Sequence, residues 1–447
     1  MTVDRRASTA SAGFAGLAGA VGTVATVALA FAWPAAPPAL AQSVDVQRPK
    51  TLVVGNPPAG ARMDRVDGAR SGFTREALPT AGLRTEWRAS LGEPIEHAPL
   101  VDEAGVTYAV GVHGAAIALA RDGTERWRVA TGAMQPGPAA LLSDGTLVFV
   151  DVAGEAVAVR AGAVRWRVRF GRSDAARPAP LPTLDGGVVV ATTQDLALLD
   201  SAGHTRARVT LPEPSTTPLL AARGKVVAVS ATGTVWTWTP GAPEAARVAS
   251  FGAATADGAA LADEHTLVAV SGSQTQLLAV DLDHPAATAA TRAVAPAGLL
   301  LGPPAMLRSA AYLLTTTPTA DLAVGFDASG AELFRTALVM HPPPMAPDGG
   351  PGVLVAPPRA APLVDRTGAV AFATPDGAVG VATATGSEVV TDTCPPIGAP
   401  ASARIPVVAG LAALPAGQTT GQTGLVAACA LGSLVALRGA GARGANR

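Results

Sequence analysis

Only two lysines, Lys50 and Lys225, occur in 447 residues, so positive charge rests almost entirely on arginine, and the formal net charge is −1. The arginines are scattered, which leaves no basic stripe for a nucleic acid, and no acidic tail calls for a cationic partner. Aromatic residues make up 4% of the chain, too few to pave a saccharide-binding face once those in strands are set aside. Beyond residue 41 the apolar runs are strand-length and broken by Gly and Pro, so none can cross a bilayer as a helix. The six histidines (His97, His113, His204, His265, His284, His341) show neither i,i+4 nor His-x-His metal spacing. No nucleophile elbow, phosphate loop or dinucleotide fingerprint occurs in a fitting context. Cysteine is limited to Cys394 and Cys429.

The first 41 residues read as an export signal. Arg5 and Arg6 supply the positive start, an Ala/Gly/Val/Leu stretch follows, and Ala39-Leu40-Ala41 forms a small-x-small cleavage site before Gln42. The arginine pair fits the twin-arginine consensus poorly, which favours the general export route. No cysteine follows the cleavage site, so a lipid anchor is not expected, and the mature chain is expected to be periplasmic or secreted. An oxidising compartment and an even cysteine count make a Cys394–Cys429 disulfide the expectation, with two unpaired thiols as the alternative.

One phrase repeats eight times: an apolar run, a turn and a second apolar run. Its clearest copies are Gly105–Ala120, Gly145–Arg160, Gly224–Thr239 and Gly368–Thr383, with looser ones at Gly187–Asp200, Thr266–Asp281, Ala310–Asp327 and Gly424–Arg438. Repetition at roughly 40 residues, with alternating apolar positions and Gly/Asp turns, marks a β-propeller. The runs show little polar alternation, as expected where blades bury both faces of a sheet. Outer strands surround Trp87, Trp127 and Trp166, and short Pro-containing inner strands are expected at His97–Val101, Gly137–Leu141, Pro178–Pro182, Thr216–Leu220 and Ala360–Val364. The chain ends one strand short at Leu434–Arg438 and starts with a surplus strand at Trp87. We therefore expect an all-β, eight-bladed β-propeller of four-stranded antiparallel blades, closed by N- and C-terminal strands that share the last blade. The implied divisions are 1–41 signal, 42–82 extended lead-in, 83–439 propeller and 440–447 tail. Met340–Arg359 and Leu411–Thr423, rich in Pro and Gly, are expected as loops on a face of the disc.

The segment Ala118-Leu119-Ala120-Arg121-Asp122-Gly123-Thr124-Glu125-Arg126-Trp127 resembles the tryptophan-docking motif of the pyrroloquinoline-quinone (PQQ) propeller repeat family. Val159–Trp166 and Phe326–Phe334 resemble degenerate copies, and Arg65–Gly72 resembles the segment that precedes the first blade in this family. The likeness spans about residues 62–439. It implies a structural docking role for Trp87, Trp127 and Trp166, whose rings pack on a neighbouring blade while the indole N–H meets a carbonyl. The family contains both quinoprotein dehydrogenases and non-enzymatic envelope scaffolds. The dehydrogenases share an adjacent Cys-Cys pair over the quinone and a carboxylate–amide cluster that holds calcium. Neither is found in this sequence, so no catalytic residue, metal ligand or cofactor is assigned.

Residues just before the inner strands should ring one mouth of the central channel: Glu96, His97, Gln135, Arg177, Thr216, Asp257, Arg359 and Arg404. This polar rim suits a small anion, a sugar or a peptide end; a water-filled mouth is the plainer alternative. The function expected is an exported, non-enzymatic scaffold for protein or peptide partners in the cell envelope, monomeric and without nucleic acid. The alternatives are a quinone-dependent dehydrogenase with unusual ligands and a small-ligand or saccharide-binding propeller.

Overall fold

Each repeated phrase folds into a β-hairpin because β-branched and small apolar residues fill both faces of a strand that is covered on both sides. Thr107–Val110, for example, pairs with Ala115–Leu119 across the turn at Gly114, and nearly every residue of the two strands is buried. An inner strand, Leu100–Val101, and an outer strand, Glu125–Ala130, complete blade 1. In the computed structural model the described residues are 61–439 except 64, 171–177, 216, 285–289, 295–297, 318, 328, 341–359, 375–376, 392, 395–407 and 418–422. The expected signal and tail lie outside them.

Eight antiparallel sheets of four strands form the blades of a β-propeller, and in blade 7 a short parallel strand, Phe73–Thr74, is added to the inner edge. Among the described residues there is no helix, and hence none long and apolar enough to cross a membrane. The ring closes in blade 8. Its three inner strands, Val408–Leu414, Gly424–Cys429 and Ser433–Arg438, come from the end of the chain, and its outer strand, Arg84–Ser90, comes from the beginning. Closure covers edges that an open array would leave exposed.

Two expectations about strand extent need correction. Inner strands are shorter and lie later than the Pro-containing stretches: Leu100–Val101, Ala140–Leu141, Leu181–Pro182, Leu220–Ala222 and Leu363–Asp365. In these five blades proline removes a ladder N–H, and pairing starts only towards the end of each stretch. Leu411–Leu414, expected within a loop, belongs instead to the inner strand of blade 8. The Met340–Arg359 expectation falls, after Met340, outside the described residues.

Candidate functional site

Blade junctions are held by a relay of tryptophans and glycines. Trp87, from the outer strand of blade 8, donates its Nε1–H to the Arg121 carbonyl in blade 1 at 2.8 Å and lies over Gly123. Trp127 of blade 1 lies over Gly162 of blade 2. Trp166 of blade 2 lies over Gly203 and donates to Ser201 O of blade 3 at 3.1 Å. A Cβ on Gly123 or Gly203 would stand 2.7 Å from the ring it receives, so only glycine leaves room. Each tryptophan is aimed by a β-bulge, where an extra residue bends the strand just before the ring: Glu86, Arg126 and Arg165 are the unpaired residues. Thus the four-residue step Gly123–Trp127, and again Gly162–Trp166, makes one repeat both socket for the preceding blade and plug for the next.

The mouth at the far ends of the inner strands is closed by the chain itself. Inner strands turn an unpaired edge to the axis, and the lead-in satisfies it. Backbone N–H groups of Val101, Leu141, Ala221, Leu261, Met306 and Val364, in blades 1, 2, 4, 5, 6 and 7, donate to carbonyls of Ala61, Arg62, Gly68, Ala69, Ser71 and Gly72 at 2.6–2.9 Å. Blade 3 has Pro182 at the corresponding place, which has no N–H to give. Arg70 engages blade 3 the other way: its guanidinium donates to Ala179 O and Pro180 O at 3.1 and 3.0 Å, and to Leu219 O of blade 4 at 2.9 Å. Arg65 likewise reaches Ala259 O and Pro304 O in blades 5 and 6. Blade 8 is met through Glu76, which accepts from Ala416 N–H, and Ala77, whose carbonyl accepts from Thr423. The described residues of 61–77 therefore touch all eight blades, and the carbonyls from Ala61 to Gly72 meet blades 1, 2, 4, 5, 6 and 7 in ring order. Asp67 sits between Arg65 and Arg70 and accepts from the Ser71 N–H and hydroxyl. Burial pushes its carboxyl above the ordinary range, against these hydrogen bonds and the two arginine charges.

Of the polar rim named from the sequence, Glu96, His97 and Gln135 lie at the opposite mouth. Glu96 and Gln135 are exposed there and His97 is half-buried. Gln135 takes a positive φ of 43° and its N–H donates to Val112 O at 2.8 Å. The Glu96 and Gln135 side chains make no hydrogen bond among the described residues, so convergence on a ligand is not seen in this part of the rim. Asp257 lies in the inner strand Thr255–Leu261; Arg177, Thr216, Arg359 and Arg404 lie outside the described residues. On this face, backbone bonds from Ile95 N to Ala430 O, Val112 N to Pro94 O, Gln135 N to Val112 O and Val152 N to Met134 O tie blades 8, 1 and 2 into a continuous ledge. Two large apolar side chains project from it, Met134 at 64% exposure and Leu431 at 43%. Sequence reasoning passed over both, because a single exposed Met or Leu has no local signature.

Cys394 and Cys429 form a disulfide with a Cα–Cα separation of 5.4 Å, both residues buried. It joins the segment after the outer strand of blade 7 to the second strand of blade 8, pinning the closing blade. The cysteines are 35 residues apart and cannot form a vicinal bridge. Among the described residues no three of His, Cys, Asp and Glu are grouped to hold a metal.

Together the radial four-stranded sheets, the docking tryptophans and the inner segment define a PQQ-like β-propeller. The profile of the family described as outer membrane protein assembly factor BamB matches residues 77–241 and 116–301, which together span half of the chain. The chain belongs to this family. Among solved structures it is similar to BamB from Moraxella catarrhalis (18% identity, 80% of this chain and 98% of that one, TM-score 0.52). It is also similar to the computationally designed Ika8 protein (12% identity, 81% and 99%, TM-score 0.56). A third similar structure is the quinohemoprotein alcohol dehydrogenase from Comamonas testosteroni (10% identity, 85% and 80%, TM-score 0.57). At these identities the likeness is one of fold. No curated protein sequence matches the chain.

Proposed function

We propose that this protein is an exported, non-enzymatic scaffold that holds protein partners in the cell envelope, in a role related to outer-membrane protein assembly. The observation that carries this is the ledge across blades 8, 1 and 2, where Met134 and Leu431 stand exposed on backbone fixed by hydrogen bonds between blades. Large apolar side chains presented on rigid backbone and rimmed by polar groups such as Glu96 and Gln135 are the usual anchors of a protein interface. Membership of the BamB family supports the same direction. The Arg5-Arg6 start and the Ala39-Leu40-Ala41 site support export.

A photo-crosslinking residue placed at Met134, at Leu431 and at Leu333 tests this in living cells. Leu333 is also exposed but lies on the outer strand of blade 6, so it serves as control. Adducts with outer-membrane barrels or their assembly machinery from positions 134 and 431, and not from 333, are expected. Equal labelling at all three positions would refute the ledge. Dye reduction by the purified chain with PQQ, calcium and an alcohol would refute the non-enzymatic role.

A further inference from the structure

On the sealed face, the lead-in and the inner hairpins of blades 5, 6 and 7 enclose a cleft of about 430 Å³, within the range of small-ligand sites. Four residues of the lead-in line it, Asp67, Ala69, Ser71 and Phe73. Its walls are apolar where Phe73, Met306 and Leu307 meet.

The charges around the cleft divide into two groups. Asp67 is engaged by Ser71, and Asp263 accepts from the His265 and Thr266 N–H groups and the Thr266 hydroxyl, capping its own turn. Glu264, Arg308 and Arg366 form no hydrogen bond or ion pair among the described residues. The corresponding hairpins of blades 1 to 4 behave differently. Glu103 pairs with Arg62 at 2.9 Å, Asp144 with Arg160 at 3.0 Å, Asp185 with Arg206 at 3.5 Å and Arg223 with Asp283 at 2.6 Å. The cleft is thus bordered by exposed hairpin charges without partners among the described residues, an anion on blade 5 and two cations on blades 6 and 7. Rigid hairpins on separate blades hold these opposite charges apart across an apolar floor.

We infer that this cleft binds a short peptide as a zwitterion, a di- or tripeptide with an apolar side chain. Its terminal carboxylate lies against Arg308 and Arg366, its ammonium against Glu264, and its side chain against Phe73 and Met306. Guanidinium groups suit a carboxylate through charge-assisted paired hydrogen bonds. The site is separate from the ledge and on the other face, so it stands or falls apart from the scaffold role.

The test is calorimetric titration of the full mature chain with the tripeptide Ala-Leu-Ala and with its N-acetylated and C-amidated forms. The free peptide is expected to bind, and blocking either end should weaken it about tenfold or more. Arg308→Gln and Arg366→Gln should weaken the free peptide and leave the amide unchanged. Glu264→Gln should weaken the free peptide and leave the acetylated form unchanged. These three side chains bond to nothing among the described residues, and melting curves equal to the parent's will show that the variants are folded. Absence of binding by the free peptide, equal affinity for the three forms, or variants that bind the free peptide like the parent would each overturn the inference.

Discussion

Replacing Arg70 with Met should cost the propeller about 3–5 kcal/mol. The guanidinium is fully buried and donates to three backbone carbonyls, Leu219 O, Ala179 O and Pro180 O, at 2.9, 3.1 and 3.0 Å. A hydrogen bond to a charged group contributes about 1.5–3 kcal/mol, and stripping the donor leaves carbonyls of two blades facing the axis without it. Three such bonds exceed the stated loss in a simple sum. Part is offset because the variant no longer buries a charge, and methionine keeps most of the packing of the stem. Arg70→Lys should fall between parent and Met, since an ammonium on a single stem cannot fork across carbonyls of adjacent blades. Urea unfolding at pH 7, followed by tryptophan fluorescence, gives the change from the midpoint shift and the measured m-value. A loss below about 1 kcal/mol for Arg70→Met, with m unchanged, would refute the claim that the lead-in is fastened to the ring through this side chain.

Reduction of the Cys394–Cys429 bridge, or Cys394→Ala with Cys429→Ala, should lower stability by about 4 kcal/mol from the loop it closes; urea curves with and without reductant measure it. Gly123→Ala should be about 2 kcal/mol more damaging than Gly145→Ala. Both glycines have a positive φ, 84° and 83°, but only the first would drive a Cβ to 2.7 Å from Trp87; paired thermal melts compare them. Trp87→Ala should cost about 3–5 kcal/mol by emptying that socket, read by the same melts. Of the two tyrosines, Tyr108 has its hydroxyl pushed up to about 12 by burial and then by Asp102, and burial also raises Tyr312. Folded-state values above the unfolded value of about 10 favour the protonated form, so the contribution is complete below pH 10 and falls as pH rises, for Tyr108 towards 12. Alkaline titration by tyrosinate absorbance should leave Tyr108 un-ionised at about pH 10.5 in the folded protein; ionisation of both tyrosines in the native protein at that pH would contradict its burial.

Much of the blade was legible in the sequence because its determinants are local. The offset Gly105/Gly114 marks a hairpin, an apolar run such as Leu147–Val150 marks a doubly covered strand, and the surplus strand at Trp87 identifies the closing partner at Ala436. The tryptophan motif revealed the docking residues, but the glycines that receive them emerged only when the neighbouring blade was in place. Trp87 and Gly123 are far apart along the chain, and nothing local records their contact. The rim of Glu96, His97 and Gln135 was located by strand order, yet strand order cannot say whether side chains converge.

The sequence by itself determined the repeat, the strands, the turns and the way the ring closes, since each depends on residues within one hairpin or on a count of strands. Only the tertiary structure decided what lies along the axis. Residues 61–77 have no apolar periodicity of their own, and their partners run from Val101 to Thr423. Those partners share one place only after eight inner edges have been brought around a common centre. The seal, the paired and unpaired charges of the cleft, and the ledge on the other face are products of that closure, because a hydrogen bond or a Coulomb attraction acts over distance in space and not along the chain.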